Sequence, residues 1–479
     1  MPADFIPRVY QGPAIDFMLY TLRCALWAGM GLGKTASVLT ALDALYLAGE
    51  SAPTLVLAPL RVARSTWAGE AKKWNHLSGL EVVPIVGTPA ERARALQQDA
   101  PVFTTNYENL EWLTEKWGDR WPYKIVVADE ATKLKGVRLS FQTSSKGKEF
   151  LRGQGGKRAR ALGKIAHSHT TRFIELTGTP APNGLKDLWG QIWFLDGGRR
   201  LGRSYEAFKQ RWFETGYDGR TLIPREHAKA QIHAALADIC LTIDAKDYFD
   251  LKEPIVNTIR VQLPPAARKL YREMEKEMFA QIAADRTASA VNAAGKTQKC
   301  LQLAAGAVYV DPDVESDTDP KAKEWRAVHD AKLEALDEVI EEACGAPVIV
   351  VYEFRSDLER LKRAFPQGRA LVTPKDEDDF KAGKIPVLFT HPKSAGHGID
   401  GFQYVCNQMV FFTRNWSLED YQQIVERIGP VRQLQAGMDR PVFLHHIVAE
   451  GTVDELVAER LEGKRDVQEI LLSAMKRRS

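Results

Sequence analysis

The stretch Trp27-Ala28-Gly29-Met30-Gly31-Leu32-Gly33-Lys34-Thr35-Ala36-Ser37 decides how the rest of the chain is read. A short apolar run, Cys24 to Trp27, precedes it, and a helical pattern follows with Val38, Leu39, Leu42, Leu45 and Tyr46 on one side. A strand, a glycine-rich turn and a helix opening on Lys-Thr form the context that a phosphate-binding loop requires. Gly29, Gly31 and Gly33 permit backbone angles closed to other residues, so successive N–H groups can turn inward on an anion. The helix N-terminus adds its dipole, Lys34 a point charge for the β- and γ-phosphates, and Thr35 a hydroxyl for Mg²⁺. Ala28 stands where the strict pattern has glycine. The stretch predicts a nucleoside triphosphate site.

Upstream lies Tyr10-Gln11, and a glutamine amide both donates and accepts, as pairing with adenine N6 and N7 requires. Downstream, strand-like and helical runs alternate: Thr54 to Pro59, Ala63 to Trp74, Glu81 to Val86, Pro89 to Gln98, Val102 to Thr105, Lys124 to Ala128. That rhythm predicts a parallel sheet covered on both faces. Functional groups in such sheets collect at the carboxyl ends of strands. Asp129-Glu130 ends an apolar run about 95 residues beyond Lys34. Asp129 is the candidate metal holder there, and Glu130 the candidate acceptor of a proton from attacking water. Phe173 to Pro180 is another strand entering a Thr-Gly-Thr-Pro turn. Between these segments, Lys133 to Lys164 carries ten Lys or Arg against Glu149 alone, with Gly and Ser interspersed. It reads in part as a mobile basic loop, with Lys133, Lys135, Lys157, Arg158 and Arg160 as phosphate-backbone contacts.

From Leu241 to Gln262 the pattern turns extended and charged, punctuated by Pro254, Pro264 and Pro265, which predicts a boundary. A second βαβ series follows: Val348 to Tyr352, Ser356 to Ala364, Ala370 to Val372, Val387 to Thr390. No second phosphate loop accompanies it. After its last strand, His391 to Asp400 is glycine-containing, and Lys393 or Ser394 can touch a phosphodiester. The helical run Ser417 to Glu426 then leads into Arg427-Ile428-Gly429-Pro430-Val431-Arg432-Gln433.

Taken together these residues resemble helicase superfamily two, and its Swi/Snf-type branch in particular, along nearly the whole chain. Tyr10-Gln11 looks like the Q motif, Ala28 to Thr35 motif I, and Ala58-Pro59-Leu60 motif Ia. Asp129-Glu130 looks like motif II, Thr177 to Pro180 motif III, Val348 to Arg355 motif IV, and the last two stretches motifs V and VI. Three positions depart from the pattern. Thr132 stands where His is usual and Asp400 where Asn is common, and the motif VI arginines lie five apart instead of three.

The resemblance implies an α/β fold of two RecA-like lobes with helical protrusions. Lobe 1 spans 1–240 with a protrusion at about 185–235, a linker 241–265, and lobe 2 266–479 with a protrusion at about 266–345. It implies ATP and Mg²⁺ as cofactors. ATP binding falls to Tyr10, Gln11, Gly29, Gly31, Gly33, Lys34, Thr35, Gly398 and Asp400, and the metal to Thr35 and Asp129. Catalysis falls to Lys34, Glu130, Arg427 and Arg432, with Arg432 as the transition-state finger and Arg427 coupling closure to nucleotide. Further DNA contacts fall to Arg61 and Thr105. The implied function is an ATP-dependent DNA translocase or helicase-like motor on duplex DNA. Two other readings stay open: the motor subunit of a restriction or nuclease assembly, and an ATP-dependent DNA clamp with little turnover. A replication, recombination or nuclease protein is the expected partner.

Bulk composition fits these expectations. At 479 residues, 44% hydrophobic and 27% charged, the chain reads as a multi-domain globular protein. A net charge of +3 implies no polyanion partner by itself. Five scattered cysteines (24, 240, 300, 344, 406) suit reduced thiols and form no zinc pattern. No apolar run is long enough to span a membrane, and the first residues lack a signal-peptide shape. The expected location is the cytoplasm of a bacterial host cell.

Overall fold

Branched apolar runs bounded by glycine and proline become strands, and in the first half of the chain the central ones are buried on both faces. The computed structural model describes residues 2–29, 31–143, 145, 147, 149–182, 184–216, 222–284, 297–309, 324–395, 399–438 and 440–463. The chain divides into two compact units, Met1–Asp250 and Leu251–Ser479. The stretch 241–265, read above as a linker, therefore straddles the division.

The strands of the first unit are β1 (Arg23–Ala28), β2 (Thr54–Ala58), β3 (Val82–Pro84), β4 (Val102–Asn106), β5 (Ile125–Asp129), β6 (Arg138–Thr143), β7 (Glu149–Gln154), β8 (Arg172–Thr177), β9 (Phe213–Thr215), β10 (Leu222–Pro224) and β11 (Cys240–Ile243). Seven form one sheet in the order β11-β1-β8-β5-β2-β4-β3. Every pairing in it is parallel. β2, β4, β5 and β8 are buried along their whole length; in β2 and β5 this shows as the unbroken apolar runs Leu55 to Ala58 and Ile125 to Ala128, whereas β4 and β8 also bury polar residues such as Thr104 and Glu175.

The basic stretch after β5 is more ordered than a loop. Arg138–Thr143 and Glu149–Gln154 pair as an antiparallel hairpin, and Lys157–Ala166 is a helix. Its glycines mislead because Gly153 sits within β7 at φ 131°, and a Cβ there would lie 1.9 Å from the Arg138 carbonyl oxygen. The aromatic segment that follows packs inward. Trp189, Trp193, Phe194, Phe208 and Trp212 are all buried in the main core of this unit. Helix Leu188–Asp196 lies against the backbone just after β5: a Cβ on Gly190 would meet the carbonyl oxygens of Leu134 and Lys135 at 2.5 and 2.9 Å.

The second unit adds β12 (Ile255–Val261), β13 (Ala307–Tyr309), β14 (Trp325–Ala327), β15 (Val348–Val351), β16 (Gly368–Ala370), β17 (Val387–Thr390), β18 (Gln408–Phe411) and β19 (Phe443–Ala449). Six of them form a sheet in the order β12-β19-β18-β15-β17-β16, again parallel throughout. One of its helices begins with a reciprocal cap at Thr373-Pro374, where the Thr373 hydroxyl accepts from Asp376 N and the Asp376 carboxylate accepts from Thr373 N.

One ion pair is sealed inside this unit. Lys332, on helix Ala331–Glu342, bonds Asp454 of helix Val453–Gly463, with side chains 1% and 4% exposed. The Lys332 ammonium also donates to Phe412 O at 3.0 Å, and Asp454 accepts from Ala449 N at 3.1 Å. Removing one partner strands a buried charge, whereas replacing both by apolar residues does not. Lys332→Ala is expected to destabilise this unit by about 3–5 kcal/mol, and Lys332→Met with Asp454→Leu by far less. Urea unfolding monitored by circular dichroism checks this; equal losses in the two variants would exclude a charge-burial origin.

Candidate active site

The glycine-rich loop owes its shape to contacts on both sides. Gly31 and Gly33 have φ of 79° and 71°, the left-handed region that favours glycine. Gly33 is constrained twice, since a Cβ there would lie 2.5 Å from the Gln11 side-chain nitrogen. Helix Lys34–Leu47 starts directly after it. The Lys34 ammonium donates to Ala28 O at 2.8 Å and Gly29 O at 3.1 Å, folding back over the end of β1. Thr35 is half-buried in the first turn of the same helix.

Gln11 belongs to this loop physically. Its Oε1 accepts from Arg8 N at 2.9 Å, and its Nε2 donates to Gly33 O and Ser37 Oγ, each at 3.4 Å. Tyr10 is buried beside two more rings, its centroid 5.2 Å from that of Tyr248 and 6.0 Å from that of Phe249. Those two aromatics come from the end of the unit and went unremarked in the sequence.

Asp129 closes β5 as a carboxylate only 9% exposed. Its Oδ2 accepts from Trp67 Nε1 at 3.1 Å and its Oδ1 from Glu130 N at 3.1 Å. Burial pushes its carboxyl above the ordinary range, while Lys34, the Trp67 indole and the Glu130 amide pull the other way. Lys34 is therefore within electrostatic reach of Asp129. Each carboxylate oxygen keeps a lone pair beyond its single neutral donor, and Thr35 offers a hydroxyl. An oxygen-only pair of a carboxylate and a hydroxyl fits Mg²⁺. Among the described residues no group of three His, Cys, Asp or Glu could hold a metal alone.

Glu130 follows in an unusual conformation, φ 57° and ψ 56°, for a residue with a side chain. Thr132 is buried two positions on. In the strand alongside, Thr177 is buried and its Oγ1 accepts from Thr179 N at 3.1 Å, which orders the Thr-Gly-Thr-Pro turn.

The residues assigned to DNA are more mixed. Lys133 is exposed, and Lys135 and Arg61 are half-buried. Lys157 and Arg158 pair with Glu111 and Glu108 at 3.6 and 2.6 Å. Arg160 donates to Gly153 O at 3.0 Å and Gly155 O at 3.3 Å. The basic run is thus partly neutralised by acids of its own unit. Thr105 is buried, and its hydroxyl donates inward to Ile85 O at 2.8 Å, so it presents no group to a polyanion.

In the second unit two guanidiniums converge on one short loop. Arg427, buried beyond helix Leu418–Val425, donates to Ile399 O at 2.7 Å and Gln423 O at 3.2 Å. Arg432, on helix Pro430–Gln435, is ion-paired with Asp400. Gly398 lies outside the described residues. Lys393 and Ser394 are exposed on the turn after β17, where Lys393 N donates to His391 Nδ1 at 3.2 Å. Beside them stands a carboxylate not singled out from sequence. Glu353 accepts from Asn415 Nδ2 at 2.9 Å, with His391 Nε2 at 3.6 Å. Burial pushes its carboxyl up to about 7. The available signal was its place two residues past a buried strand, close to the strand-end position that marked Asp129.

The model of the SNF2-related domain matches residues 10–304. Putative protein p41 of Acyrthosiphon pisum secondary endosymbiont phage 1 is 50% identical, covering 99% of this chain and 99% of its own length. The transcription regulatory protein SNF2 of Saccharomyces cerevisiae is 21% identical across 93% of this chain, which spans only 26% of that protein. Among solved structures, the Pyrococcus furiosus Hef helicase domain is 16% identical with a TM-score of 0.52, covering 96% of this chain and 98% of that one. This last likeness is one of fold: two RecA-like lobes.

The backbone at Glu130 supplies a test of its own. A left-handed residue bearing a Cβ costs about 1–2 kcal/mol that glycine avoids. Glu130→Gly is expected to raise the urea midpoint of the first unit by an amount equivalent to about 1 kcal/mol, and Glu130→Gln to leave it unchanged. A glycine variant no more stable than the parent would show that the backbone there is unstrained.

Proposed function

Because the chain belongs to the SNF2-related family, and is thereby a Swi/Snf-type ATP hydrolase of helicase superfamily two, we propose that it hydrolyses ATP on duplex DNA and moves along it. The observation that supports this most is the loop of left-handed glycines closed by Lys34, with the buried Asp129 carboxylate at the end of β5 in the same sheet. The phage relative favours a setting in the cytoplasm of a bacterial host.

Phosphoryl transfer is mostly positioning and charge neutralisation. The loop N–H groups of Gly29, Gly31 and Gly33 cradle phosphate, and Lys34 neutralises the β- and γ-phosphates. Thr35 and Asp129 would hold Mg²⁺, which would add positive charge at the phosphates. Glu130 orients the attacking water and takes its proton. Tyr10 and Gln11 act from the base side, with Gln11 also bracing Gly33. In the second unit Arg432 supplies the transition-state guanidinium, and Asp400 holds that guanidinium in line. Arg427 ties the same loop to its helix, so it sets where Arg432 stands. Arg61, Lys133, Lys135, Lys393 and Ser394 contact DNA phosphates. Lys157 and Arg158 join them by exchanging Glu111 and Glu108 for phosphate.

Lys34→Ala is expected to abolish hydrolysis. Glu130→Gln should bind ATP normally and lose ~10²–10⁴ in turnover, the usual worth of acid–base help. Phosphate release and nucleotide affinity measured side by side check both, and near-normal turnover by Glu130→Gln would remove this residue from the chemistry.

Hydrolysis rates with no nucleic acid, duplex DNA, single-stranded DNA and RNA test the substrate. Duplex DNA is expected to stimulate most, with stimulation falling steeply as salt rises. Each phosphate contact removed, as in Lys133→Gln, should lower the log–log salt slope by about 0.9. Equal stimulation by RNA, or none by any nucleic acid, would overturn the DNA assignment.

Arg432→Ala is expected to lower kcat by ~10³–10⁵ with little change in ATP affinity. Arg427→Ala should lower both and also loosen the second unit, since its two backbone bonds vanish. Normal DNA-stimulated turnover in both variants would show that these arginines take no part.

A further inference from the structure

Glu130 and Cys344 are the two non-glycine residues with positive φ among those described. Such a conformation persists only where neighbours fix the peptides on either side. The peptide preceding Glu130 carries the Asp129 carbonyl. That carbonyl accepts from the Tyr107 hydroxyl at 2.9 Å.

Tyr107 arrives there from some distance. It opens the turn Tyr107–Asn109 at the end of β4, and β2 lies between β4 and β5 in the sheet. The side chain therefore reaches past the end of β2 to the end of β5, a strand that β4 does not pair with. It is 3% exposed.

The turn that carries it is itself pinned. Asn109 Nδ2 donates to Asn106 Oδ1 at 2.7 Å and to Ile85 O at 3.2 Å, and Asn106 Nδ2 donates to Glu108 Oε2 at 2.7 Å. A rigid turn thus presents one hydroxyl to the peptide on the N-terminal side of Glu130, while Lys133 N, donating to Glu130 O at 3.0 Å, holds the peptide on the other side.

We infer that Tyr107 is a positioning residue for hydrolysis: its hydroxyl locks the Asp129–Glu130 peptide and so aims the Glu130 carboxylate. This rests on Glu130 handling the attacking water. A purely structural role, satisfying a buried carbonyl, would lower stability and leave the chemistry alone.

Tyr107→Phe removes one oxygen and keeps the ring. The expected result is kcat for DNA-stimulated ATP hydrolysis down about tenfold, the worth of one such hydrogen bond, with KM for ATP within about twofold. Tyr46→Phe is the control: its hydroxyl donates to Pro101 O at 2.6 Å, also inside this unit, and its loss should lower the unfolding midpoint without moving kcat. In a Glu130→Gln background, Tyr107→Phe should leave the residual turnover unchanged, because there is no carboxylate left to aim. A folded Tyr107→Phe protein with kcat within twofold of the parent, while Glu130→Gln is inactive, overturns this inference and spares the role of Glu130. An equal loss in both backgrounds overturns it as well. Near-normal turnover by Glu130→Gln removes both.

Discussion

A carboxylate at the end of a buried parallel strand is expensive to keep charged, and Asp129 is such a group. Water is largely excluded from it, so its environment must supply donors or a counter-charge. Trp67, the Glu130 amide and Lys34 do this from three separate segments. That requirement ties β1 with its glycine loop, the helix after β2, and β5 into one site. It also suits the site to a cation, because an oxygen pair held above its ordinary range by burial gains more from a divalent ion than an exposed one does. Parallel sheets repeat the arrangement wherever their strands end. In the second unit the corresponding edge gathers Glu353, His391 and Asn415, and nearby the Ile399–Asp400 loop with its two arginines.

Much of this was legible because the chemistry needs fixed local spacings. Glycines at 29, 31 and 33 before Lys34-Thr35, and an Asp-Glu pair ending an apolar run, show in a linear chain because each forms within one strand-to-turn unit. The parallel sheets were legible for the same reason: Val56 and Val127 belong to apolar runs with no polar face, as two-sided burial favours. What stayed hidden depends on residues far apart. Trp67 and Tyr107 look like ordinary core aromatics in sequence, and only the sheet order brings both to Asp129. Nothing local distinguishes Tyr248 and Phe249, which join Tyr10 from the other end of the unit.

Edge position explains two further departures. The hairpin β6–β7 and the strand β12 are largely exposed and interspersed with polar residues, so they lack the continuous apolar signature of the central strands β2 and β5 and read as loop or linker. Thr105 shows the reverse. A polar residue at a strand end looked available, yet its hydroxyl points into the unit toward Ile85. Side-chain polarity in sequence says what a residue can do, and only the packing says whether it faces anything.

The way the chain passes from one unit to the other has a mechanical side. It leaves the first sheet by its outermost strand, β11, and enters the second by its outermost strand, β12. β11 is held to β1 by residue pairs Ala25 with Cys240 through Ala28 with Ile243, four in all. β12 is held to β19 from Ile255 with Phe443 through Val261 with Ala449, seven in all. Tension carried along the backbone loads parallel strands in shear, so the bonds of each ladder share the pull instead of unzipping in turn. The shorter ladder is then the mechanical fuse. Under load the chain yields first where β11 meets β1, the strand that runs directly into the glycine loop.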